Sequence, residues 1–233
     1  MKRNTLKAIL VIIALFMPFV ADAQNYEIYK NNGEILVLDY NEVDSIVFKG
    51  KEKLPDPGDA EYVDLGLSVL WAKCNLGAAT YTDYGDYFAW GEIEPKEEFT
   101  EENSLTYMKE MKEDISGNPK YDAATAILGE GWRMPTYDDM AELCELCTWE
   151  WTKIEDSQGY QITGPNGNSI FLPAGGRFTG STLNYINFSG LYWLGTYVDV
   201  QCSYCLLFDL DVHTAYCSDY RFNGMNIRPV KDK

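Results

Sequence analysis

The segment that follows Thr136 has apolar residues at helical spacing. One of its faces is apolar at intervals of three and four residues, at Met140, Leu143, Cys144 and Cys147. That spacing favours a short helix. Thr136 can act as its N-cap, and Asp139 three residues later is a weak capping-box partner. Because Pro135 keeps the preceding chain extended, the pattern predicts a turn, a helix and then a strand over residues 148–151.

Most of the remaining chain consists of short apolar runs separated by turn residues, which is the pattern of β-strands. The runs cover residues 62–65, 69–72, 87–91, 160–163, 169–172, 191–195, 204–208, 215–220 and 225–230. Residues 164–168 specify a hairpin between two of them, because Gly and Asn accept positive φ. Residues 122–128 predict a second short helix, and the acid-rich residues 96–113 predict a solvated, partly helical insertion. The chain is therefore expected to form an α+β domain with two short helices and mostly antiparallel pairing.

A smaller unit is expected ahead of this domain. Residues 26–30, 34–39 and 45–48 are runs rich in Ile, Val, Tyr and Phe, and turn residues separate them. They predict a short β meander within residues 24–49. The Lys, Pro and Gly content of residues 50–60 is typical of a linker, which leaves residues 61–233 for the main domain.

The first residues have the pattern of a signal peptide. A basic start at Lys2, Arg3 and Lys7 precedes the apolar run 8–20, and residues 21–23 offer small side chains at a cleavage site. The run is too short for a comfortable membrane span, and no cysteine near it could receive a lipid. The sequence therefore predicts cleavage after residue 23 and an exported protein that is secreted, periplasmic or held at the cell surface.

Composition and charge narrow the possible partners. The 233 residues are 46% hydrophobic and 14% aromatic, enough for one well-buried domain with a small appendage. The net charge of -17 argues against nucleic acids and anionic membranes as partners, because phosphate binding needs clustered Lys and Arg. After the apolar run no segment could cross a bilayer, and the acidity also keeps an exported protein soluble.

Several motifs follow one another from residue 62 onward. They are Tyr62-Val63-Asp64-Leu65-Gly66-Leu67, Trp71-Ala72-Lys73-Cys74-Asn75-Leu76-Gly77-Ala78, Tyr84-Gly85-Asp86-Tyr87-Phe88-Ala89-Trp90-Gly91-Glu92, Trp132-Arg133-Met134-Pro135-Thr136, Cys147-Thr148-Trp149, Asn168-Ser169-Ile170-Phe171-Leu172-Pro173-Ala174, Tyr192-Trp193 and Ile227-Arg228-Pro229-Val230. Their order resembles the Fibrobacter succinogenes major paralogous domain family over residues 61–233. These exported bacterial domains look like members of the C-type-lectin-like fold, which also includes the formylglycine-generating enzymes. The resemblance implies that fold and export, and it implies no particular activity.

The residues that match the family's motifs can be structural rather than functional. The residues that match the family's motifs most clearly are Trp71, Trp90, Trp132, Trp193, Arg133 and Arg228. We expect the tryptophans to pack a sheet-rich core and the arginines to satisfy carbonyl or carboxylate groups around it.

The six cysteines allow more than one interpretation. Two Cys-x-x-Cys pairs, 144/147 and 202/205, could supply four zinc ligands, but residues three apart in a strand point to opposite faces. No metal is therefore expected. Export to an oxidising compartment favours disulfides, whose pairing stays open. The resemblance implies a Cys74–Cys147 bridge, since the family has cysteines at both positions. Cys205 and Cys217 are equidistant from Asp211, the predicted hairpin tip, so they could lie opposite one another, while Cys144 and Cys202 would remain buried thiols.

Catalytic and calcium-binding patterns are weak. His213 is the one histidine, and no Gly-flanked nucleophile such as G-x-S-x-G occurs. Sugar-binding lectins of the resembled fold use Glu-Pro-Asn or Gln-Pro-Asp with Trp-Asn-Asp, whereas this chain offers only Gly164-Pro165-Asn166. The missing carboxylate would deprive a calcium ion of a hard ligand. No cofactor is expected, and the sequence favours a binding protein over an enzyme.

The last part of the chain is rich in Tyr, Asp, Ser and Asn. This mixture is typical of antibody paratopes, because Tyr gives a large contact area at low entropic cost. The candidate ligand-binding residues are Tyr197, Asp199, Tyr204, Asp209, Asp211, His213, Tyr216, Tyr220, Arg221, Phe222 and Asn223. They could equally be outward residues of ordinary strands. The sequence thus predicts an exported module that presents a Tyr-rich surface to a protein or glycan ligand; the alternatives are an enzyme related to formylglycine-generating oxidases and a structural, fimbria-like surface subunit.

Overall fold

The computed structural model describes residues 25–29, 35–39, 62–111 and 113–233. The predicted signal peptide (1–23), the third strand of the meander (45–48) and the predicted linker (50–60) lie outside these residues. The chain divides into two compact units, Met1–Lys53 and Leu54–Lys233.

In the first unit, the described residues form one antiparallel pair. Strand β1 (Asn25–Tyr29) runs against β2 (Ile35–Asp39), with Tyr26 opposite Leu38. These are the first two strands of the predicted meander. Strand β1 begins and ends one residue earlier than predicted, and β2 begins one residue later.

The described part of the second unit contains two short helices, α1 (Ala123–Leu128) and α2 (Tyr137–Leu146). Its strands are β3 (Tyr62–Val63), β4 (Leu70–Ala72), β5 (Trp132–Arg133), β6 (Thr148–Ile154), β7 (Ser157–Thr163), β8 (Ser169–Pro173), β9 (Arg177–Thr179), β10 (Thr182–Asn184), β11 (Gly190–Tyr197), β12 (Cys202–Phe208), β13 (His213–Tyr220) and β14 (Val230–Lys231). Their sheets are built from antiparallel pairs. The predicted α+β class with mostly antiparallel pairing is confirmed.

These strands form four sheets. A sheet of order β3-β4-β14-β5 joins the beginning of the unit to its end, because Val230 pairs with both Trp71 and Arg133. The sheet β6-β7-β8 contains the predicted hairpin around residues 164–168. The third sheet has the order β11-β12-β13, and β9 pairs with β10.

Both predicted helices are present, and α2 has its predicted N-cap. In α2 the Thr136 side chain accepts from the backbone N–H of Asp139, and the Asp139 carboxylate accepts from the backbone N–H of Thr136. Asp139 is more than the weak partner expected, because Arg133 also donates to it at 2.7 Å. In α1, the N-cap Asp122 accepts from the backbone N–H groups of Thr125 and Gly117.

Three secondary-structure predictions were wrong. Residues 96–113 are not partly helical, since the described residues 96–111 and 113 form turns, bends and irregular chain with one isolated bridge, from Phe99 to Gly180. The acid-rich segment is held by inward side chains instead: Phe99 is buried, and its ring stacks on Phe178 at 5.5 Å. Residues 87–91 and 225–230 were predicted as strands, but Phe88 makes only an isolated bridge to Met225, and only the end of the second run belongs to β14.

The sheet β11-β12-β13 separates two apolar clusters, because alternate residues of a strand point to opposite faces. The first cluster includes Tyr192, Leu194, Leu206 and Phe208, together with Met140 and Leu143 of α2. The second includes Leu191, Trp193, Cys205, Trp90 and Ile115. Both faces of this sheet are therefore buried over much of their area.

The motif residues have structural partners. Arg228 is fully buried and donates to Asn75 Oδ1 and to the carbonyl oxygen of Phe171, each at 2.8 Å. The indole N–H groups of Trp90 and Trp193 donate to backbone carbonyl oxygens at 2.8 and 2.9 Å. These contacts satisfy polar groups inside the core, which is the structural role expected of the motifs.

Candidate functional site

The hairpin of β12 and β13 positions most of the predicted ligand-binding residues. Tyr204 lies opposite Ser218, and Cys202 lies opposite Tyr220. The register shifts between Cys205 and Leu207, where β13 has one more residue than β12. A bulge of this kind bends the strand locally and changes the direction of the side chains beyond it.

Five aromatic side chains form the surface that we call the aromatic surface: Tyr107, Tyr204, Tyr216, Tyr220 and Phe222. The Tyr216 side chain is 77% exposed, and the Tyr220 side chain is 48% exposed. The ring of Tyr220 stacks on that of Phe222, with centroids 5.3 Å apart and an interplanar angle of 8°. Tyr107 meets Phe222 edge-on at 5.0 Å, and Tyr204 lies 6.4 Å from Tyr216. The contacts fall into two groups, Tyr107 with Tyr220 and Phe222, and Tyr204 with Tyr216, and one ring of each group stays open to solvent.

Arg221 was predicted to contact a ligand, but its side chain is fully buried. Its guanidinium lies over the rings of Trp90 and Tyr197, 4.3 and 4.8 Å from their centroids. It donates to Ser203 Oγ and to the carbonyl oxygen of Thr106, each at 3.2 Å. Burial lowers the pKa of this guanidinium. Arg221 thus joins β12 to residues 104–109 underneath Tyr220 and Phe222, and it supports the surface from inside.

Asn223 also lies in the interior. Its side-chain amide donates to Asp219 Oδ1 at 2.8 Å, and the backbone N–H of Tyr220 donates to the same oxygen at 2.7 Å. Arg177 forms an ion pair with the Asp219 carboxylate. This network fixes the end of β13, so Asn223 positions Tyr220 and is not a surface contact.

The acidic candidates build the two turns that flank β12. Asp199 accepts from the backbone N–H groups of Gln201 and Cys202 at 2.8 and 2.7 Å, and these hydrogen bonds lower its pKa. Asp209 accepts from the N–H groups of Asp211 and Val212 in the turn between β12 and β13. The hairpin tip is therefore where the sequence predicted it, with Asp211 exposed.

His213 contacts a different part of the molecule. Its imidazole stacks on the Trp149 ring of β6, with centroids 4.3 Å apart and an angle of 6°. Burial lowers its pKa, although a hydrogen bond with the Cys144 backbone opposes that shift. The lowered pKa favours a neutral ring, and its position in the stack separates His213 from the aromatic surface.

Tyr107 is the member of the aromatic surface that sequence reasoning missed. It lies in the acid-rich segment that was expected to be solvated. The available signal was an aromatic residue inside a segment that is otherwise rich in acidic residues. Nothing in the local sequence indicates that this segment meets residues 220–222 more than a hundred positions later.

All six cysteines are free thiols in this structure. Cys74 and Cys147, the pair implied by the family resemblance, are not bonded to each other. Cys205 and Cys217 do lie directly opposite on β12 and β13, as their spacing from Asp211 predicted. Cys144 and Cys147 pack against the first apolar cluster, whereas Cys205 and Cys217 belong to or pack against the second.

A groove of about 410 Å³ lies apart from the predicted ligand-binding residues. Its walls include Cys74, Leu76, Ile127, Leu128 and Trp132. Ile127 and Leu128 expose about half of their side chains because α1 ends beside the groove. It offers apolar walls but no cluster of titratable groups for chemistry.

Three comparisons, with family profiles, with characterised proteins and with solved structures, found no match for this chain. Among the residues that the structure describes, no helix is both long enough and apolar enough to span a membrane. Within the same residues, no set of three or more His, Cys, Asp or Glu side chains could hold a metal ion.

Proposed function

We propose that this chain is an exported binding module whose aromatic surface contacts a protein or glycan ligand. We further propose that residues 61–233 have the C-type-lectin-like fold of the Fibrobacter succinogenes major paralogous domain family. The order of the motifs, the two short helices and the antiparallel sheets support the fold. The pattern of a signal peptide in residues 1–23 supports export.

The observation that carries the binding proposal is the exposure of Tyr216 and Tyr220 on a supported strand. A soluble domain usually buries such rings, and exposed aromatic groups are frequent at interaction sites. Tyr220 is held by stacking on Phe222, so little side-chain entropy would be lost when a ligand binds. The ring faces can pack against sugar C–H groups or apolar side chains, and the hydroxyl groups can form hydrogen bonds.

The test uses the full chain on a glycan array and on an array of purified extracellular proteins. We expect the wild type to bind at least one probe, and a Tyr216→Ala/Tyr220→Ala variant to bind it at least about tenfold more weakly. Phe188→Ala is the matched control, because that ring is 74% exposed but lies outside the aromatic surface. Equal binding by the double variant and the wild type would place the ligand elsewhere.

The same exposed rings also fit a structural subunit that associates with copies of itself. Sedimentation of the full chain separates the two functions. Oligomers that dissociate in the Tyr216→Ala/Tyr220→Ala variant would favour the structural subunit, whereas a monomeric wild type that binds an array probe favours the binding module. The third possibility, a formylglycine-type oxidase, requires a pair of reactive, closely spaced cysteines that acts on a substrate. Thiol alkylation and disulfide mapping of the native protein test it, and six inert cysteines would argue against it.

A further inference from the structure

Two cysteines lie directly opposite each other in the middle of the β12–β13 pair, at Cys205 and Cys217. Directly opposed residues of antiparallel strands have Cα atoms about 4.5 or 5.5 Å apart and side chains on the same face. Disulfides span Cα separations of about 4.4–6.8 Å. Both kinds of strand pair satisfy that range, so a bond between these sulfur atoms needs no large backbone movement.

The two thiols have different surroundings. Cys205 is fully buried in the second apolar cluster, while Cys217 is partly exposed at its edge. The two side chains interact with each other, and Cys217 Sγ also lies 3.9 Å from the carbonyl oxygen of Ser218, to which the thiol donates. Arg177, which is paired with Asp219, adds a positive charge beside them.

These surroundings assign different reactivities. The hydrogen bond from Cys205, helped by Arg177, lowers the pKa of Cys217. The same hydrogen bond and burial raise the pKa of Cys205. Burial also raises the pKa values of Cys74, Cys144, Cys147 and Cys202. Since the thiolate is the nucleophile, Cys217 is the cysteine prepared to react first.

We propose that Cys217 is a thiol–disulfide exchange site, and that its reaction with an organic disulfide ends in an internal Cys205–Cys217 bond. The Cys217 thiolate attacks one sulfur of the organic disulfide, whose S–S bond breaks and releases one thiolate. The Cys205 thiol gives its proton to that leaving thiolate and attacks the Cys217 sulfur. The second organic thiol then leaves. Two protein thiols are oxidised, and one organic disulfide is reduced to two thiols.

The new bond would close the loop of residues 205–217 beside the bulge. Closing a loop of this length restricts the unfolded chain. We expect the Tm of the oxidised protein to rise by about 5–10 °C, and dithiothreitol to reverse the rise. The bond joins residues that are already opposed, so the aromatic surface should keep its shape.

The experiment treats the reduced, folded full chain with oxidised glutathione, followed by acid quenching, intact mass measurement and peptide mapping. We expect the wild type to lose two thiols, to retain no glutathione and to give a Cys205–Cys217 crosslinked peptide. Cys205→Ala should retain one glutathione on Cys217, because no second thiol can displace it. Cys217→Ser should lose its thiols at no more than about one tenth of the wild-type rate. The control Cys202→Ser should behave as the wild type.

Arg177→Gln tests the charge beside the pair, and it should slow the modification of Cys217 several-fold. The map of the wild type decides the question even if a variant folds poorly. Glutathione retained on wild-type Cys217, or a crosslink between any other two cysteines, would overturn the proposal. So would a Cys217→Ser variant that loses two thiols at the wild-type rate.

Discussion

The helix α2 and the hairpin β12–β13 use their side chains in opposite ways. In α2 the polar groups bond to neighbouring segments of the fold: Asp139 holds Arg133 and the first turn, and Glu142 accepts from the hydroxyl of Ser68 at 2.6 Å. In the hairpin the polar and charged groups lie underneath, around Arg221, while Tyr216 and Tyr220 face solvent. The difference indicates which region maintains the fold and which one is available to a partner.

The largest expected effect comes from removing the support below the hairpin. Arg221→Ala deletes a fully buried side chain that contacts Trp90 and donates to Ser203 and Thr106. We expect the free energy of unfolding to fall by about 3–5 kcal/mol in urea titrations. Arg221→Met is the matched variant, because it keeps the apolar stem and removes the buried charge. It should lose clearly less, and equal losses would show that the charge and its hydrogen bonds dominate.

Breaking the cap of α2 should have a smaller effect. Asp139→Asn keeps the shape of the side chain but weakens the ion pair with Arg133, whose Nη1 lies 2.7 Å from Asp139 Oδ2. We expect a loss of about 2 kcal/mol in the free energy of unfolding. Asp138→Asn, in the same turn of α2, is the control and should change stability by less than about 0.5 kcal/mol. A similar loss in both variants would mean that the charge of the first turn matters more than the pair.

The Asp139 carboxylate should also make the stability of the protein depend on pH. Burial would raise the pKa of Asp139, but hydrogen bonds from Arg133 and Thr136 outweigh burial and lower it. Its contribution to stability is therefore present above the unfolded pKa, near about 3.9, and disappears as pH falls through the lower folded pKa. The stability difference between wild type and Asp139→Asn should be full at pH 6 and should shrink below pH 4. A difference that is constant from pH 6 to pH 2 would contradict this origin.

His213 should give a weaker pH dependence of stability, and here the charged form is the cation and not the anion. Its pKa is lowered by burial, so the folded protein holds the neutral ring more strongly than the unfolded chain does. Stability should rise slightly with pH from the folded pKa up to about 6.5, the value in an unfolded chain. His213→Phe keeps a ring against Trp149 and should remove that slope in thermal unfolding. The prediction is wrong if the variant retains the slope.

The smallest effect on stability is expected at the aromatic surface itself. Tyr216→Ala removes a side chain that is 77% exposed and should change the free energy of unfolding by less than about 0.5 kcal/mol. The comparison variant is Met140→Ala, since the Met140 side chain is fully buried in α2. Chemical denaturation measures both variants. We expect Met140→Ala to lose about 2–5 kcal/mol. A large loss at Tyr216 would make it part of the fold.

Much of the architecture could be predicted because its signals are local. Thr136 and Asp139 cap α2 within one turn, and Asp122 does the same for α1. The Gly and Asn residues at 164–168 specify the turn between β7 and β8. The spacing of Cys205 and Cys217 around Asp211 suggested that they lie opposite each other, and they do, but the turn alone does not place them there. The turn pairs Leu207 with Thr214, and only the extra residue of β13 beyond that pair brings Cys217 opposite Cys205.

The support of the candidate site could not be predicted in this way. Arg221 follows an exposed strand residue and has no local sign of burial, and Tyr107 lies in a segment whose charges suggested solvent. The acidic side chains of residues 96–113 do not decide its path, because Phe99 and Thr106 hold the backbone through contacts with Phe178 and Trp90. His213 was a candidate ligand-binding residue, yet its ring stacks on Trp149 of another sheet.

The sequence by itself determined the α+β class, both helices, the N-cap of α2 and the hairpins. Caps, turns and alternation act over a few residues, so they can be recognised without knowledge of the partners. Only the tertiary structure decided that Arg221 and Asn223 lie inside, that Tyr107 joins Tyr220 and Phe222, and that Tyr216 stays exposed. Burial depends on which distant segments meet, because the hydrophobic contacts and hydrogen bonds that stabilise a side chain come from its neighbours in space.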